Sequence, residues 1–392
     1  MISTHIPDRS HDRRIIIRSI DSMPSSSKRN YHDEQSLKLN TKIREICKEL
    51  PPWFTDFIRA TSDTLEPRTR FNYCIDTRIF LNYLISENSK FYGYRLNNVE
   101  AEKLGELTRR DLDLYLDYLS YYVRIGETKG ESEDDLGTET EYENGEHGKA
   151  RKIASLRSLF KYLYKSEIIK ANPTDLIPTP KIHEKSITRL TPEEVSSLIK
   201  AVNNGEGLSD RQRSYQKKTL KRDIAMITLF LTTGIRVSEL VGIDIEDVDF
   251  ETNSFRVIRK GGNESILYFN RDTAAVLNDY IQERQNTGTY DRSSPLFISM
   301  QNKRITVRAV ENLIKKYAMI AVPLKKITPH KLRSTFGTML YQNTGDIYLV
   351  ADVLGHKDVN TTRKHYAAQS EDNRKYAANA VKITENISED EE

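Results

Sequence analysis

Cysteine is nearly absent: among 392 residues only Cys47 and Cys74 carry a thiol. Two cysteines are too few for a disulfide framework or a cysteine-rich metal module, and both fall at apolar positions of helical patterns, as reduced core residues would. Long apolar runs are lacking as well. No stretch approaches the roughly 18 residues a membrane span needs, and the N-terminus has no long apolar core of the kind a secretory leader carries. A cytoplasmic protein without a membrane partner is expected. There is also no GxxxxGK[ST] phosphate loop, no glycine-rich dinucleotide fingerprint and no acidic cluster of the type a two-metal nuclease uses. The expectation is a protein without a cofactor or a metal.

What the sequence does contain is material for two ordinary cores, at 37% hydrophobic and 30% charged residues. Net charge is only +3, but residues 126–148 hold nine carboxylates and one lysine, which leaves +11 on the rest of the chain. A basic body with one acidic insert suits a partner rich in phosphates; an ordinary solvated surface fits the charge count about as well.

Taken in order, residues 1–35 are polar and mixed in charge and are expected to be disordered, with a serine-rich, linker-like stretch at Pro24 to Ser27. Residues 36–170 read as a helical domain. Apolar spacing predicts helices from Leu39 to Leu50, around Phe54 and Phe57, from Pro67 through Tyr83, after the Thr108/Asp111 capping signature, and from about Lys149. The acidic 126–148 stretch cannot bury enough apolar surface to order itself and is expected to be a disordered insertion. Arg68, Thr69 and Arg70 lie at a helix start, where amides and guanidinium groups can meet a phosphate. Lys149, Arg151, Lys152, Arg157 and Lys161 fall on what reads as the exposed face of the last helix. Each group could equally be a solvated surface.

Residues 171–187 include three prolines and few apolar side chains, a semi-rigid linker. The second domain, 188–370, opens with the Thr191-Pro192-Glu193-Glu194 capping box. Residues 203–218 read as a polar, basic loop. The helix that follows, Ile224 to Thr233, is apolar almost all round and should be deeply buried. Gly234 ends it and Arg236 follows, where an arginine is costly unless it meets an anion or an internal partner such as Glu239. Two strands, 255–259 and 265–269, should form a hairpin with Lys260 at its tip; by itself Lys260 would be an ordinary turn lysine.

The densest chemistry lies between Thr328 and Tyr366. Thr328-Pro329 opens a helix that places His330 and Arg333 three apart on one face. A second helix from Asp346 ends at Gly355, and His356 follows. Tyr366 comes ten residues later. Each residue alone would be structural more often than reactive. In combination, the run TGIRVSEL from Thr233 to Leu240, Lys260 in a hairpin, PHKLRSTF from Pro329 to Phe336, LGH from Leu354 to His356, and Tyr366 closely resemble the boxes of the tyrosine recombinase (phage-type integrase) family, Xer-like and mobile-element integrases included. One departure is visible, since the family usually places its tyrosine nine residues after the second histidine.

The resemblance implies a mainly α fold with a small β-sheet: a helical core-binding domain ahead of a mixed α/β catalytic domain. It implies site-specific DNA recombination, as in the integration or excision of a mobile element. Tyr366 would be the nucleophile, Arg236 and Arg333 the clamp on the phosphate oxygens, His330 and His356 hydrogen-bonding groups, and Lys260 the general acid, with Glu239 supporting Arg236. Double-stranded DNA is the implied partner. Four copies would assemble on paired sites through a C-terminal helix within 371–392, with an accessory DNA-bending or directionality factor as a further partner. The rivals are a type IB topoisomerase and a catalytically idle DNA-binding relative; the six filled positions argue against the second. A zinc site of His330, His356 and His365 lacks the usual short-spaced ligand pair.

Overall fold

The computed structural model describes residues 30–125, 139–178, 183, 188–259, 261–291, 293–356 and 358–363. Residues 1–29, the acidic stretch 126–138, most of the linker, Lys260, Tyr366 and the 371–392 tail lie outside the described residues.

The first unit is helical: α1 (Tyr31–Glu49), α2 (Pro52–Ala60), α3 (Pro67–Glu87), α4 (Ala101–Leu104), α5 (Arg109–Tyr118) and α6 (Glu146–Lys165). Its core is aromatic. Phe54, Phe57, Phe80, Tyr115 and Phe160 are fully enclosed, with Phe80 and Tyr115 edge to face at 4.9 Å. Burial of one such ring contributes about 2 kcal/mol. The Thr108/Asp111 capping box forms as the sequence implies. Burial opposes the charge of Asp111, yet hydrogen bonds from Thr108, Lys90 and Asn88 outweigh it and push the carboxyl down to about 2.

Three expectations need correcting here. First, the chain is helical from Tyr31, not from residue 39: Asn30 accepts the Asp33 amide at 2.9 Å and acidic residues fill the first turn. That first turn docks on the second domain, where the Arg304 guanidinium lies 5.2 Å from the centre of the Tyr31 ring and Gly242 faces Tyr31 and His32. Burial pushes the His32 imidazole below its usual value, against the pull of Glu239.

Second, the acidic insert is shorter than 126–148. Residues Glu139–Glu143 form β2, paired antiparallel with β1 (Tyr121–Ile125) in the register Tyr122↔Tyr142. What orders so acidic a strand is a ladder of tyrosines, Tyr83, Tyr118, Tyr122 and Tyr142, with successive centroids 4.8, 5.2 and 5.5 Å apart.

Third, several of the basic residues on α6 are engaged within the domain, and Lys152 is buried. Arg151 makes a bidentate pair, at 2.5 and 2.8 Å, with Asp76, which is fully buried. Lys152 is buried against Asn144 Oδ1 at 2.8 Å, Lys149 donates to Ser120, and Arg157 donates to the Ile177 carbonyl. Arg70, in α3, donates to Asn40. These cations hold the domain together, because each meets an acceptor inside it. Arg68 and Lys161 are exposed and Thr69 is half-buried. The start of the linker also packs inward, with Pro173, Thr174 and Ile177 buried.

The second unit is built on α8 (Asp210–Thr233), whose Ala225, Met226, Ile227, Leu229 and Phe230 are fully buried. This helix begins inside the expected basic loop, because Ser209 and Gln212 form a capping box there. Around it stand α7 (Pro192–Asn204), α9 (Val237–Gly242), α10 (Arg271–Asn286), α11 (Val307–Ala321), α12 (Pro329–Thr344), α13 (Ile347–Leu354) and α14 (Val359–Thr362). An antiparallel sheet of β3 (Val248–Asp249), β4 (Ser254–Ile258) and β5 (Glu264–Tyr268) lies at one side. The mainly α architecture with small sheets is as the sequence implies. No helix among the described residues is long and apolar enough to cross a membrane.

Candidate active site

The candidate residues gather at the C-terminal end of α13. A helix ends with four carbonyls that have no intrahelical donor, and here each meets a partner. Gly355, in the left-handed conformation at φ +60°, lets its own amide and that of His356 turn back on the Ala351 and Asp352 carbonyls. The next three carbonyls accept from arginines. Arg259 Nη2 donates to Val353 O at 3.2 Å, Arg333 Nη2 donates to Leu354 O, and Arg236 Nη2 donates to Gly355 O at 3.2 Å. Three guanidinium groups from β4, α12 and the α8–α9 junction thus converge on one peptide segment. The negative end of the α13 dipole favours their charge.

Arg236 sits where the buried α8 must stop. Gly234 takes the left-handed C-cap conformation at φ +62°, and Arg236 occupies the N-cap of α9. Glu239 accepts the Arg236 backbone amide at 2.9 Å through one oxygen and Nη1 at 2.7 Å through the other. Glu239 is buried while the Arg236 side chain keeps 32% of its exposure, so the carboxylate fixes the guanidinium from behind and leaves it reachable. The sequence offered an internal pair and an anion site as alternatives for Arg236; the pair is present and leaves room for the anion.

Arg333 is 5% exposed, and its other terminal nitrogen donates to Gly234 O at 2.5 Å. It therefore ties α12 to both left-handed caps, one after α8 and one after α13. Gly234 has no room to change, since a Cβ there would come within 2.8 Å of Leu354 Cδ2 and also strike the Phe336 ring. We expect Gly234→Ala to lower stability by about 2–4 kcal/mol, from left-handed strain and overpacking together, measured as a thermal shift of several degrees. An unchanged melting profile would show that this junction adjusts freely.

His330 lies exposed in the first turn of α12, one turn before Arg333 on the same face. His356 Nδ1 shares a hydrogen bond with the buried Thr362 Oγ1 at 2.8 Å, which fixes the ring plane and anchors α14. The described chain runs on to residue 363, three short of Tyr366. Of the six residues singled out by the sequence, Arg236, Arg333 and His356 are thus brought together, His330 stands on the helix that carries Arg333, and Lys260 and Tyr366 fall outside the described residues. Two participants carried no sequence signal of their own. Arg259 reads as an ordinary strand residue and Thr362 as part of a turn. Among the described residues no three His, Cys, Asp or Glu side chains are grouped to hold a metal.

The model of the phage integrase family matches residues 188–373. A tyrosine recombinase XerC from Caldanaerobacter subterraneus subsp. tengcongensis is 31% identical over 324 residues, 80% of this chain and 82% of that protein. In fold, the chain is similar to the XerH site-specific recombinase bound to palindromic difH substrate, with a TM-score of 0.57, 19% identity, and coverage of 80% of this chain and 79% of that one. The Tn1549 transposon integrase in complex with circular intermediate DNA gives a TM-score of 0.57 at 17% identity, covering 85% of this chain and 98% of that one. The chain belongs to the phage integrase family, the tyrosine recombinases. It is a tyrosine-type site-specific recombinase.

Proposed function

We propose that this recombinase cuts and rejoins double-stranded DNA through a 3′-phosphotyrosyl intermediate formed at Tyr366. The observation that carries the reading is the convergence of Arg236, Arg333 and His356 on the end of α13, with the Glu239 carboxylate set behind Arg236. In the reaction, the Tyr366 phenolic oxygen attacks phosphorus and a new P–O bond forms. His330 accepts the phenol proton, the bond to the 5′-oxygen breaks, and Lys260 protonates that oxygen as it departs. Arg236 and Arg333 exchange carbonyl acceptors for the nonbridging oxygens, whose charge grows in the transition state. The phosphotyrosine keeps the energy of the broken diester, so rejoining needs no nucleotide. Two guanidinium groups and an ammonium supply the charge that a metal ion supplies elsewhere. Covalent trapping on a nicked duplex should therefore proceed in excess chelator and without ATP, and a strict requirement for a divalent ion would overturn this mechanism.

DNA affinity should come from exposed cations such as Arg68 and Lys161 with Thr69 beside them, and it should fall steeply with salt. We assign the chain to the integration or excision of a mobile element; attachment-site repeats flanking its gene would support that role and their absence would count against it. The working assembly is four copies on two duplexes. Residues 371–384 place Tyr376, Ala377, Ala380, Val381 and Ile383 at helical spacing, and a helix so short needs a surface to bury that stripe. A neighbouring copy supplies it. Truncation after Gln369 should leave DNA binding intact and abolish most pairing of sites; a truncated protein that pairs two sites as readily as the full chain would return the helix to its own domain. An accessory DNA-bending or directionality factor completes the expected partners.

A further inference from the structure

Arg259 belongs to none of the roles assigned above, yet its guanidinium meets the same peptide segment as Arg236 and Arg333. Its guanidinium crosses from the end of β4 to α13, 94 residues further along the chain, and donates to Val353 O. Its Nη1 end reaches over Gly355, where the volume a Cβ would occupy is filled by Arg259 Nη1 and Cζ. Its Nε is enclosed and has no hydrogen-bond partner among the described residues. An enclosed guanidinium nitrogen on a half-buried side chain, left without an acceptor among the described residues, is a cost to the fold. That cost makes sense where the side chain fixes something the reaction needs.

What it fixes is the root of the β4–β5 hairpin. The Arg259 amide donates to Asn263 O at 2.8 Å and the Gly262 amide donates to Arg259 O at 3.1 Å. Gly261 and Gly262, at φ +93° and +81°, close the tip in a conformation that other residues rarely adopt. The hairpin therefore leaves β4 and returns to β5 across a five-residue turn whose first residue is bolted to α13. Lys260 is the next residue in sequence.

We propose that Arg259 is a positioning residue for strand cleavage: by clamping the hairpin root onto Val353 and Gly355 it sets Lys260 against the departing 5′-oxygen, at the segment that Arg236 and Arg333 also hold. The proposal rests on the reading of Lys260 as general acid, and it accounts for two features at once. Gly355 is needed both for its left-handed cap and for the approach of Arg259. The enclosed Nε goes with a side chain whose terminal nitrogen is committed to Val353 O. On this account Arg259 acts through Lys260, and proton delivery to the leaving group is the step that its loss impairs.

A leaving group that needs no proton separates this role from a merely structural one. Cleavage of a nicked duplex should be measured in a single turnover, once with the normal 5′-oxygen at the scissile bond and once with a bridging 5′-sulfur, which departs readily as the thiolate. Arg259→Ala should cleave the oxygen substrate at least about 30-fold more slowly, within the range general acids contribute, and the sulfur substrate within about threefold of the native rate. DNA affinity should change less than about twofold. Arg259→Lys should fall between, since one ammonium can still reach Val353 O. Should Arg259→Ala not fold, Arg259→Gln, which keeps an amide donor near the same place, carries the comparison. An equal loss on both substrates would overturn the clamp and make Arg259 a direct phosphate ligand or a part of the scaffold. Lys260→Ala is the control: failure of sulfur to restore it would sink the general-acid reading and the proposal with it, whereas restoration of Lys260→Ala but not of Arg259→Ala would sink the clamp alone.

Discussion

Tyr366→Phe should bind DNA as the native protein does and form no covalent adduct with it. The substitution removes one phenolic oxygen and keeps the ring, so folding and DNA contacts have little reason to change. Without that oxygen no P–O bond to the protein can form, and turnover should fall to background, a loss limited only by the sensitivity of the gel. Two neighbours could be suggested in its place. Tyr348 lies in the first turn of α13, before His356, and its side chain is 71% exposed. Tyr376 is twenty residues past His356. The segment from His356 to Tyr366, one residue longer than the family's usual spacing, includes α14, which the Thr362–His356 hydrogen bond fixes. An adduct formed in undiminished yield by the Phe variant would move the nucleophile elsewhere.

The second large effect is expected at Arg333. Arg333→Ala should slow cleavage about 10²–10³-fold, the scale for removing one preorganised donor from a developing oxyanion. It should also lower stability by about 1–3 kcal/mol, because the Gly234 and Leu354 carbonyls both lose their donor in a buried place. Arg333→Lys keeps the charge but not the fork: one ammonium cannot meet two carbonyls and then two phosphate oxygens with the same geometry. It should therefore recover most of the stability and little of the rate. Single-turnover cleavage set beside thermal melting separates the two. A rate within threefold of native for the alanine variant would remove Arg333 from the chemistry.

The sequence is most legible where a signal is local. Capping boxes at Thr108 and Thr191, the apolar end of α8 before Gly234 and the hairpin of β4 and β5 all depend on residues a few positions apart, and they form within a residue of where they are read, while α8 itself starts earlier, at Asp210. The arginine box was legible for the same reason, since Glu239 is one helical turn from Arg236. Charge was misleading. Lys152 counts as a surface cation in any composition but is buried against Asn144, and the exposed Arg151 is committed to the buried Asp76, 75 residues away in sequence. The acidic strand β2 was hidden in the same way: its order comes from Tyr122 and from the ring ladder behind it. Arg259 shows the limit most clearly. Its partners Val353 and Gly355 are almost a hundred residues away, and nothing in the period or polarity of β4 announces them.

The central claim, covalent catalysis by Tyr366, is tested most directly by trapping the protein on a nicked duplex whose cleaved end diffuses away, digesting the adduct, and locating the nucleotide-bearing residue by mass spectrometry. The account expects one modified peptide, carrying the DNA 3′-phosphate on Tyr366 and formed equally well in excess chelator. A phosphate linked to any other residue, or strand cleavage that leaves no protein-linked DNA, would contradict it.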